Sequence, residues 1–365
     1  MKNKKILVIG STGKLGTKLL RYSFKNKISI TALTCFKNEK KIIKQKKMIN
    51  AKMIFLLHRK DHLSKFLNYL KVSNFDLVYF LDYGSFSLKF LDILIKKNKN
   101  CTFAIANKEM IIAGGGLLVK RIQSSNNFLI PLDSEHFSIL KNNYKNSLIK
   151  KIYITASGGP FYFNKNIDIH KVCKKQILNH PKWKMGINNS IDSSNFINKI
   201  LEIFELSFLF KIDIKKIDFL ISREAYVHSL ILYEDNTISL NCFENDMLIP
   251  LSKPINDLYN LKLNKKLASF DSINRYKFEK LSDNRFIISK YINFFKKLSH
   301  KDQICFMLIN NRAHALFLSE QLPYHEIINF IIYNLKKEIK NKITFNNFND
   351  IIKFISFKND EYKNL

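Results

Sequence analysis

The stretch Lys5-Ile6-Leu7-Val8-Ile9-Gly10-Ser11-Thr12-Gly13-Lys14-Leu15-Gly16 determines how the first part of this chain folds. Its apolar run has the composition of a buried strand, and the amphipathic residues that follow, through Tyr22, predict a helix. A strand, a glycine turn and a helix in this order can hold a pyrophosphate on the amides of the turn and of the helix N-terminus. The G-x-x-G-x-x-G spacing is a variant of the dinucleotide fingerprint, although a tight turn without a ligand has the same pattern.

Four further apolar runs alternate with amphipathic, lysine-rich segments over the first 130 residues. They lie at 28–33, 53–57, 77–81 and 102–106. This alternation predicts an α/β fold with a doubly wound, Rossmann-like parallel sheet and a ligand crevice at the carboxyl ends of its strands.

The end of the second run bears on the choice of dinucleotide. No acidic residue that would bind the 2′-hydroxyl of NAD occurs there before Glu39, whereas Lys37 suits the 2′-phosphate of NADP. The sequence therefore favours NADPH, with a plain surface lysine as the alternative explanation of Lys37.

The pattern along the chain predicts three domains. A dinucleotide-binding domain at 1–132 precedes a second α/β domain at 133–260, and a linker at 261–284 leads to a helical domain at 285–365. The second domain is predicted to contain a strand at 152–155, a long helix near 194–210, and a hairpin formed by the runs 226–233 and 237–243 around Asp235-Asn236.

Composition excludes several classes of protein. Of 365 residues 46% are hydrophobic, which is typical of a globular protein. The net charge of +31 would suggest a nucleic-acid partner, but only seven of the 61 basic residues are arginine and the lysines are dispersed, as A/T-rich codons would produce. The five cysteines form no C-x-x-C pair, no apolar run is long enough to span a membrane, and no signal peptide precedes the first strand. We therefore expect a cytoplasmic protein that binds neither nucleic acid nor membrane.

Two carboxylates flank a serine in Pro131-Leu132-Asp133-Ser134-Glu135-His136, directly after an apolar stretch at 128–130. At an extended strand end, residues two apart point the same way, so Asp133 and Glu135 are predicted to converge beside Ser134. Two close carboxylates need a cation or a shared proton, and Mg²⁺ or Mn²⁺ prefers such oxygen ligands. A solvated turn is the alternative for this segment taken alone.

A predicted helix beginning near Ser193 carries a third carboxylate. Asn198 and Glu202 are four residues apart and share one face of that helix, with Lys199 on an adjacent face. Glu202 can thus join Asp133 and Glu135, while Glu205, one turn further on, is a competing candidate.

Hydroxyl, amide and ammonium donors suited to a phosphate monoester accompany these carboxylates. They are Ser157, Ser193, Asn198 and Lys199. Ser157 begins a Ser-Gly-Gly turn whose amides can bind an anion, or that is a plain glycine turn.

Five segments in order resemble the 1-deoxy-D-xylulose-5-phosphate reductoisomerase family over roughly residues 4–250. They are the glycine turn, Ala106-Asn107-Lys108-Glu109, the acidic segment at 131–136, Thr155-Ala156-Ser157-Gly158-Gly159-Pro160-Phe161, and the block from His180-Pro181-Lys182-Trp183-Lys184-Met185-Gly186 to Leu201-Glu202. The resemblance implies the conversion of 1-deoxy-D-xylulose 5-phosphate into 2-C-methyl-D-erythritol 4-phosphate, an isoprenoid precursor. It also implies NADPH, Mg²⁺ or Mn²⁺, and a homodimer.

The resemblance also assigns residues. The metal ligands are Asp133, Glu135 and Glu202, and these with Lys108 are the catalytic set. Substrate contacts are Lys108, Ser134, Ser157, His180, Ser193, Asn198, Lys199 and Glu202. Cofactor contacts are Thr12, Gly13, Lys14, Leu15, Lys37, Asn38, Asn107, Glu109 and Gly186. A mobile lid near 180–190 contains Trp183 and Met185; a structural histidine at 180 and a core tryptophan at 183 are the alternatives there.

The chain also departs from the family pattern. Asp82 stands in a region that the family fills with small residues, Phe36 replaces a small residue, Ile187-Asn188 replace basic ones, and a C-terminal Asn-Ala-Ala-Asn-Glu motif has decayed to Ile309-Asn310-Asn311. A catalytically inactive dinucleotide-binding relative is therefore the alternative to an active enzyme. The intact metal and phosphate residues favour the active enzyme.

We expect kcat/KM to be higher with NADPH than with NADH, because Lys37 can pair with the 2′-phosphate and no acidic residue repels it. Steady-state kinetics with each dinucleotide at saturating substrate and metal measures the ratio. Equal values for the two cofactors would contradict the assignment of Lys37.

Overall fold

A computed structural model describes residues 4–140, 148–178, 186–263, 276–339 and 343–365. The chain forms two compact units, the first comprising Met1–Phe137 with Asp246–Lys266 and the second Ser138–Asn245 with Leu267–Leu365. The predicted boundaries at 132, 260 and 284 differ from this division, because the chain returns to the first unit after the second has begun.

The α-helices of the described residues are α1 Lys14–Lys25, α2 Glu39–Ile49, α3 Lys60–Val72, α4 Leu88–Lys97, α5 Lys108–Ser124, α6 Ser134–Ile139, α7 Lys174–Leu178, α8 Ile187–Ser194, α9 Ile197–Phe210, α10 Leu248–Tyr259, α11 Ile292–Phe295, α12 His300–Leu318, α13 Ile327–Glu338 and α14 Phe348–Tyr362.

The first unit is built on a six-stranded parallel sheet. Its strands are β1 Ile6–Ile9, β2 Ala32–Cys35, β3 Met53–Leu56, β4 Leu77–Phe80, β5 Thr102–Ile105 and β6 Phe128–Pro131. Their order is β3-β2-β1-β4-β5-β6. The chain therefore adds strands to one side of β1 and then to the other, and the switch point lies between β1 and β4, where ligands bind in open α/β sheets. The predicted doubly wound sheet is confirmed. Strand β2 begins at Ala32 rather than at residue 28. Ile28 and Ile30 are apolar because they are buried in the core, but they lie before the first residue of the strand.

Helix α10 completes the core of the first unit. Leu251 and Ile255 are buried in the same apolar cluster as residues of β1 and α1. Two tyrosines fasten the helix: Tyr79 Oη donates to the carbonyl oxygen of Leu251 at 2.8 Å, and Tyr22 Oη donates to Asn256 Oδ1 at 2.6 Å. The first unit therefore depends on a segment more than a hundred residues downstream of its sheet.

The second unit contains a four-stranded mixed sheet in the order β10-β9-β7-β8. Its strands are β7 Ile149–Ala156, β8 Ile217–Ile221, β9 Val227–Tyr233 and β10 Ile238–Cys242. β7 pairs with β8 in parallel and with β9 antiparallel. The predicted hairpin is confirmed, because β9 and β10 pair antiparallel around Asp235 and Asn236, and Asn236 has a positive φ of 64°. Strand β8 was not predicted.

The long helix predicted near residues 194–210 is confirmed as α9, which begins three residues later, at Ile197, and a separate helix, α8, precedes it. The structure has two helices, α8 and α9, because Phe196 between them adopts a left-handed backbone with φ 65° and ψ 8°. The ring of Phe196 is 1% exposed and packs against Tyr162, Phe219 and Phe286. Burial of this ring offsets a backbone conformation that is unfavourable for a residue with a side chain. Ser193 consequently lies on α8, and not at the start of the helix that carries Asn198.

The predicted linker at 261–284 is only partly described, since residues 264–275 lie outside the described residues. Its described end is attached to the second unit. Glu279 pairs with Ile221 at the edge of β8, and Asp283 accepts from Lys165 Nζ at 2.7 Å and forms an ion pair with Arg285. Residues 276–283 of the predicted linker therefore form part of the second unit, held by a β-bridge and by ion pairs.

The described residues include no helix that combines the length and apolar character needed to cross a membrane.

Candidate active site

The glycine turn of the first unit brings the backbone of three segments close together. Gly10 has φ 83°, and a Cβ built on it would lie 2.5 Å from the amide nitrogen of Asp82. A Cβ on Gly16 would lie 2.4 Å from the carbonyl oxygen of Ser11. Only glycine fits either position, which is what lets β1 turn directly into α1.

The predicted cofactor contacts Thr12 to Leu15 lie at this turn and in the first turn of α1. Helix α1 begins at Lys14, and Gly13 at its N-cap brings no side chain to cover the helix amides. An N-terminus of this kind attracts an anion such as a pyrophosphate.

Lys37 and Asn38 follow β2 at the carboxyl edge of the sheet. Lys37 is exposed, while Asn38 caps α2, its Oδ1 accepting from the amide of Lys41 at 3.2 Å. The neighbouring Phe36 is 68% exposed. The structure thus leaves Lys37 exposed at the strand end, which fits both a cofactor contact and a surface lysine, and Asn38 serves as the N-cap of α2.

Asn107 joins the loop after β4 to the start of α5. Its Oδ1 accepts from the amide of Met110 at 2.9 Å, and its Nδ2 donates to the carbonyl oxygen of Gly84 at 2.8 Å. It is 1% exposed, and Glu109 lies in the first turn of the same helix. The family resemblance implied a cofactor contact for Asn107. The sequence did not predict these two hydrogen bonds, which hold the loop after β4 against α5.

Asp82 lies at the carboxyl end of β4 against the glycine turn. Burial raises its pKa to about 6, although hydrogen bonds from Ser87 and Asn107 oppose the shift. The Ser87 hydroxyl donates to Asp82 Oδ2. A carboxyl group with a pKa of about 6 therefore lies at the edge of the crevice. The sequence indicated only that an aspartate stands where the family has small residues.

The acidic segment does not have the predicted extended geometry. Strand β6 ends at Pro131, and α6 begins at Ser134. Asp133 starts this helix: its carbonyl oxygen accepts from the amide of Phe137 at 2.8 Å, and its Oδ1 accepts from the amide of Glu135 at 3.3 Å. An aspartate in this position is a good N-cap, and its capping bonds turn the chain out of the strand. Asp133 and Glu135 are therefore neighbours across a helix start, and not alternate residues of a strand.

Basic groups surround Asp133. Lys108 Nζ forms an ion pair with Asp133 Oδ2, and His136 Nδ1 lies 3.6 Å from Oδ1. Burial alone would raise the pKa of Asp133, but the Lys108 ammonium and His136 outweigh it and hold the pKa well below its usual range. Ser134 Oγ donates to Glu135 Oε2 at 2.5 Å. The structure thus brings Lys108, Asp133, Ser134 and Glu135 together in the first unit.

Helix α9 carries the third predicted carboxylate in the second unit. Glu202 is 1% exposed, accepts from Lys199 Nζ at 2.7 Å, and accepts a second hydrogen bond from Asn198 Nδ2. The predicted shared face of Asn198 and Glu202 is confirmed. Glu205 is equally buried, so burial does not separate the two candidates.

The Ser-Gly-Gly turn lies against the end of α8. Ser157 follows β7, and Gly158 and Gly159 have φ 85° and 60°. A Cβ on Gly159 would be 2.7 Å from the carbonyl oxygen of Ser193. Ser157 and Ser193 are therefore on adjoining backbone segments, although they are 36 positions apart in the sequence.

The predicted lid is largely beyond what the structure describes. His180, Trp183 and Met185 lie outside the described residues. Gly186 is described, and its carbonyl oxygen accepts from the amide of Ser190 at 3.0 Å as the N-cap of α8.

One cluster next to these residues was missed. Asp192 accepts from Asn310 Nδ2 at 2.9 Å and from His314 Nε2 at 2.8 Å. The only sequence signal was the decayed motif at 309–311, which includes Asn310.

The first unit, with its parallel sheet, glycine turn and uncapped helix N-terminus, has the features of a dinucleotide-dependent oxidoreductase. The second unit carries a buried carboxylate held by ammonium and amide groups. A model of the 1-deoxy-D-xylulose 5-phosphate reductoisomerase C-terminal domain matches residues 129–210.

Whole-chain relatives extend this match. The reductoisomerase of Pelagibacter ubique (strain HTCC1062) is 34% identical over 358 residues, which cover 90% of each chain. That of Clostridium novyi (strain NT) is 33% identical over 359 residues, covering 90% of this chain and 91% of the relative. The chain belongs to the 1-deoxy-D-xylulose 5-phosphate reductoisomerase family, so the resemblance seen in the sequence is confirmed.

Solved structures share the fold. The reductoisomerase from Zymomonas mobilis in complex with NADPH superposes with a TM-score of 0.83 at 23% identity, covering 99% of this chain and 98% of that one. A reductoisomerase in complex with NADPH, fosmidomycin and magnesium gives 0.86 at 21% identity, covering 99% and 97%. At these identities the superpositions establish the fold. NADPH, present in both of those structures, and magnesium, present in the second, are among the cofactors predicted from this sequence.

The raised pKa of Asp82 has a consequence for stability. The folded state keeps this proton to about pH 6, higher than the unfolded chain does, so the contribution of Asp82 to the free energy of unfolding falls as pH rises from about 4 to about 6. We expect Asp82→Asn to remove this slope and to stabilise the protein at pH 7 by up to about 3 kcal/mol, the free-energy equivalent of raising the pKa from 3.8 to about 6. Urea denaturation of both proteins between pH 4 and 8 measures it. Parallel pH profiles for the two proteins would show that folding does not raise the pKa of Asp82.

Proposed function

We propose that this chain catalyses the NADPH-dependent and divalent-metal-dependent rearrangement and reduction of 1-deoxy-D-xylulose 5-phosphate to 2-C-methyl-D-erythritol 4-phosphate. The observation that carries the proposal is the buried Glu202 bracketed by Asn198 and Lys199 on α9, within the segment that matches the family model. Relatives of at least 33% identity that bear the reductoisomerase name support it.

NADPH binding is assigned to the first unit. The glycine turn and the first turn of α1 offer backbone amides to the pyrophosphate, and Lys37 offers an ammonium group to the 2′-phosphate. Bound there, NADPH supplies the hydride for the reduction.

The metal ligands proposed are Asp133 and Glu135 of the first unit and Glu202 of the second. The donor set fits Mg²⁺ or Mn²⁺, since it consists of carboxylate oxygens and contains no cysteine or histidine. When bound, such an ion supplies Lewis acidity toward the carbonyl and adjacent hydroxyl oxygens of the substrate. Lys108 and Lys199 pair with Asp133 and Glu202 in the structure, so each of these two carboxylates has a cationic neighbour.

Other residues of the chain bind and orient the substrate in this proposal. Lys199 and Asn198, with Ser193 and the Ser157 turn, donate to the phosphate dianion. Lys108 and Ser134 donate to oxygens at the reacting end. Fixing both ends of a small substrate places its carbonyl carbon for hydride attack, which is where orientation contributes most to the rate.

We also propose that the active form is a cytoplasmic homodimer, as the family resemblance implies. Sedimentation of the purified protein at micromolar concentration distinguishes a dimer from a monomer.

The central experiment follows NADPH absorbance with 1-deoxy-D-xylulose 5-phosphate, with and without Mn²⁺. Metal-dependent oxidation of NADPH supports the enzyme. NADPH binding without turnover at any metal concentration supports the inactive dinucleotide-binding relative. The aspartate at position 82 would then be one of the changes that accompany the loss of activity.

Glu202→Gln is expected to abolish turnover while the fold is kept, because the change removes one of three anionic ligands from a site with few other protein contacts. Kinetics at limiting and saturating Mn²⁺, with the melting temperature as a check of folding, measures the effect. Glu205→Gln is the matched control, since Glu205 lies on the same helix and is 1% exposed like Glu202. Near wild-type activity of Glu202→Gln at limiting metal, with loss in Glu205→Gln, would exchange the two assignments.

Lys199→Ala is expected to lower kcat/KM for the phosphorylated substrate by about 10- to 150-fold and to leave NADPH affinity unchanged, because one charge-assisted contact is lost. Lys215→Ala, at an exposed lysine of the same unit, is the control and should change kcat/KM less than about twofold. A similarly small effect at Lys199 would refute the phosphate site.

A further inference from the structure

A buried polar cluster links α8 to the C-terminal helix α12. One carboxylate oxygen of Asp192 accepts both Asn310 Nδ2, at 2.9 Å, and His314 Nε2, at 2.8 Å. Asn310 and His314 are one turn apart on α12, and the three residues are 6%, 2% and 2% exposed. Two donors of one helix thus hold a single carboxylate of another.

This arrangement leaves polar atoms unsatisfied. Within the described part of the chain, Asn310 Oδ1 and His314 Nδ1 are buried and have no hydrogen-bond partner. Unsatisfied buried polar atoms reduce stability, and apolar side chains of similar size often replace such clusters at no cost. Packing of α12 on α8 therefore does not by itself explain why this cluster is polar. Its specific result is the fixed position of Asp192.

Asp192 precedes Ser193, in the last turn of α8. That turn is held at two other points. Gly159 approaches the carbonyl oxygen of Ser193 so closely that no Cβ fits, and Ser194 Oγ accepts from Tyr324 Oη at 3.0 Å. Beyond it, Phe196 breaks the helix before α9 begins. The hydroxyl of Ser193 is therefore placed by contacts on both sides of it, one of which is the Asp192 cluster.

We propose that Asn310 and His314 are positioning residues for the phosphate group of the substrate. Acting through Asp192, they fix the last turn of α8, so that Ser193 and the Ser157 turn present their donors to one phosphate. The inference rests on the proposed function, because it takes a phosphate monoester as the ligand of these serines. Donors held in place before binding lose little freedom on binding, and small misplacements of such groups are costly.

The test compares His314→Leu with His314→Gln, since glutamine retains an N–H donor and leucine does not. Ile309→Val is the matched control: Ile309 is fully buried on the same helix, and its loss of a methylene perturbs packing without touching Asp192. Inorganic phosphate is titrated calorimetrically into each full-length protein. KM and kcat for 1-deoxy-D-xylulose 5-phosphate, NADPH affinity and melting temperature are measured in parallel.

We expect His314→Leu to weaken inorganic phosphate binding and to raise KM by about 5- to 15-fold. A factor of this size corresponds to the loss of one hydrogen bond that holds Asp192 in place. NADPH affinity should stay within twofold. His314→Gln should restore most of the loss, and Ile309→Val should lower the melting temperature without moving KM. If His314→Leu does not fold, His314→Phe, which keeps a planar ring and lacks the donor, takes its place in the comparison.

Two outcomes overturn the inference. One is a leucine variant that binds phosphate like the wild type, and the other is leucine, glutamine and control variants that differ only in stability. Failure of the proposed function looks different, since the wild-type protein would then oxidise no NADPH with this substrate. The calorimetric titration reads the positioning effect in either case.

Discussion

The left-handed backbone at Phe196 is the constraint on which the site of the second unit depends. A continuous helix from 187 to 210 would place Ser193 and Asn198 on one rod, about 100° per residue apart around its axis. The break instead lets Ser193 lie against the Gly159 turn while Asn198, Lys199 and Glu202 follow on a second helix. The conformation costs on the order of 1–2 kcal/mol, and the burial of a phenylalanine ring in an aromatic cluster offsets it.

Buried charge is the second organising feature. Lys199 pairs with Glu202 at 2.7 Å with both side chains less than 10% exposed, and Lys108 pairs with Asp133. Such pairs seldom stabilise a fold more than apolar residues of the same size would, because both charges lose their hydration. Their presence is understandable if the carboxylates and ammonium groups serve an anionic substrate and a divalent cation. The net charge of +31, by contrast, comes mainly from lysines that are dispersed along the chain and form no single basic block.

The first unit shows how a departure from the family pattern is accommodated. The backbone of Asp82 lies against Gly10, and any residue with a Cβ at position 10 would collide with it. Its carboxyl group is bonded to Ser87, and burial favours its neutral form. The same loop is fastened to α5 through Asn107, the residue next to Lys108, so the cofactor crevice and the acidic segment share one scaffold.

Local pattern determined a large part of this protein from sequence alone. The glycine turn, the parallel sheet, the hairpin at Asp235 and the shared face of Asn198 and Glu202 follow from periodicity and residue type over a few positions. Tertiary structure decided the rest. The helix break at Phe196 needs an aromatic cluster from four segments, α10 joins the first unit through contacts with β4 and α1, and Asp133 starts a helix where the chain was expected to stay extended. The Asp192 cluster joins residues 118 and 122 positions apart. A hydrogen bond across that separation has no periodic signature, because it depends on where two helices pack and not on the order of their residues.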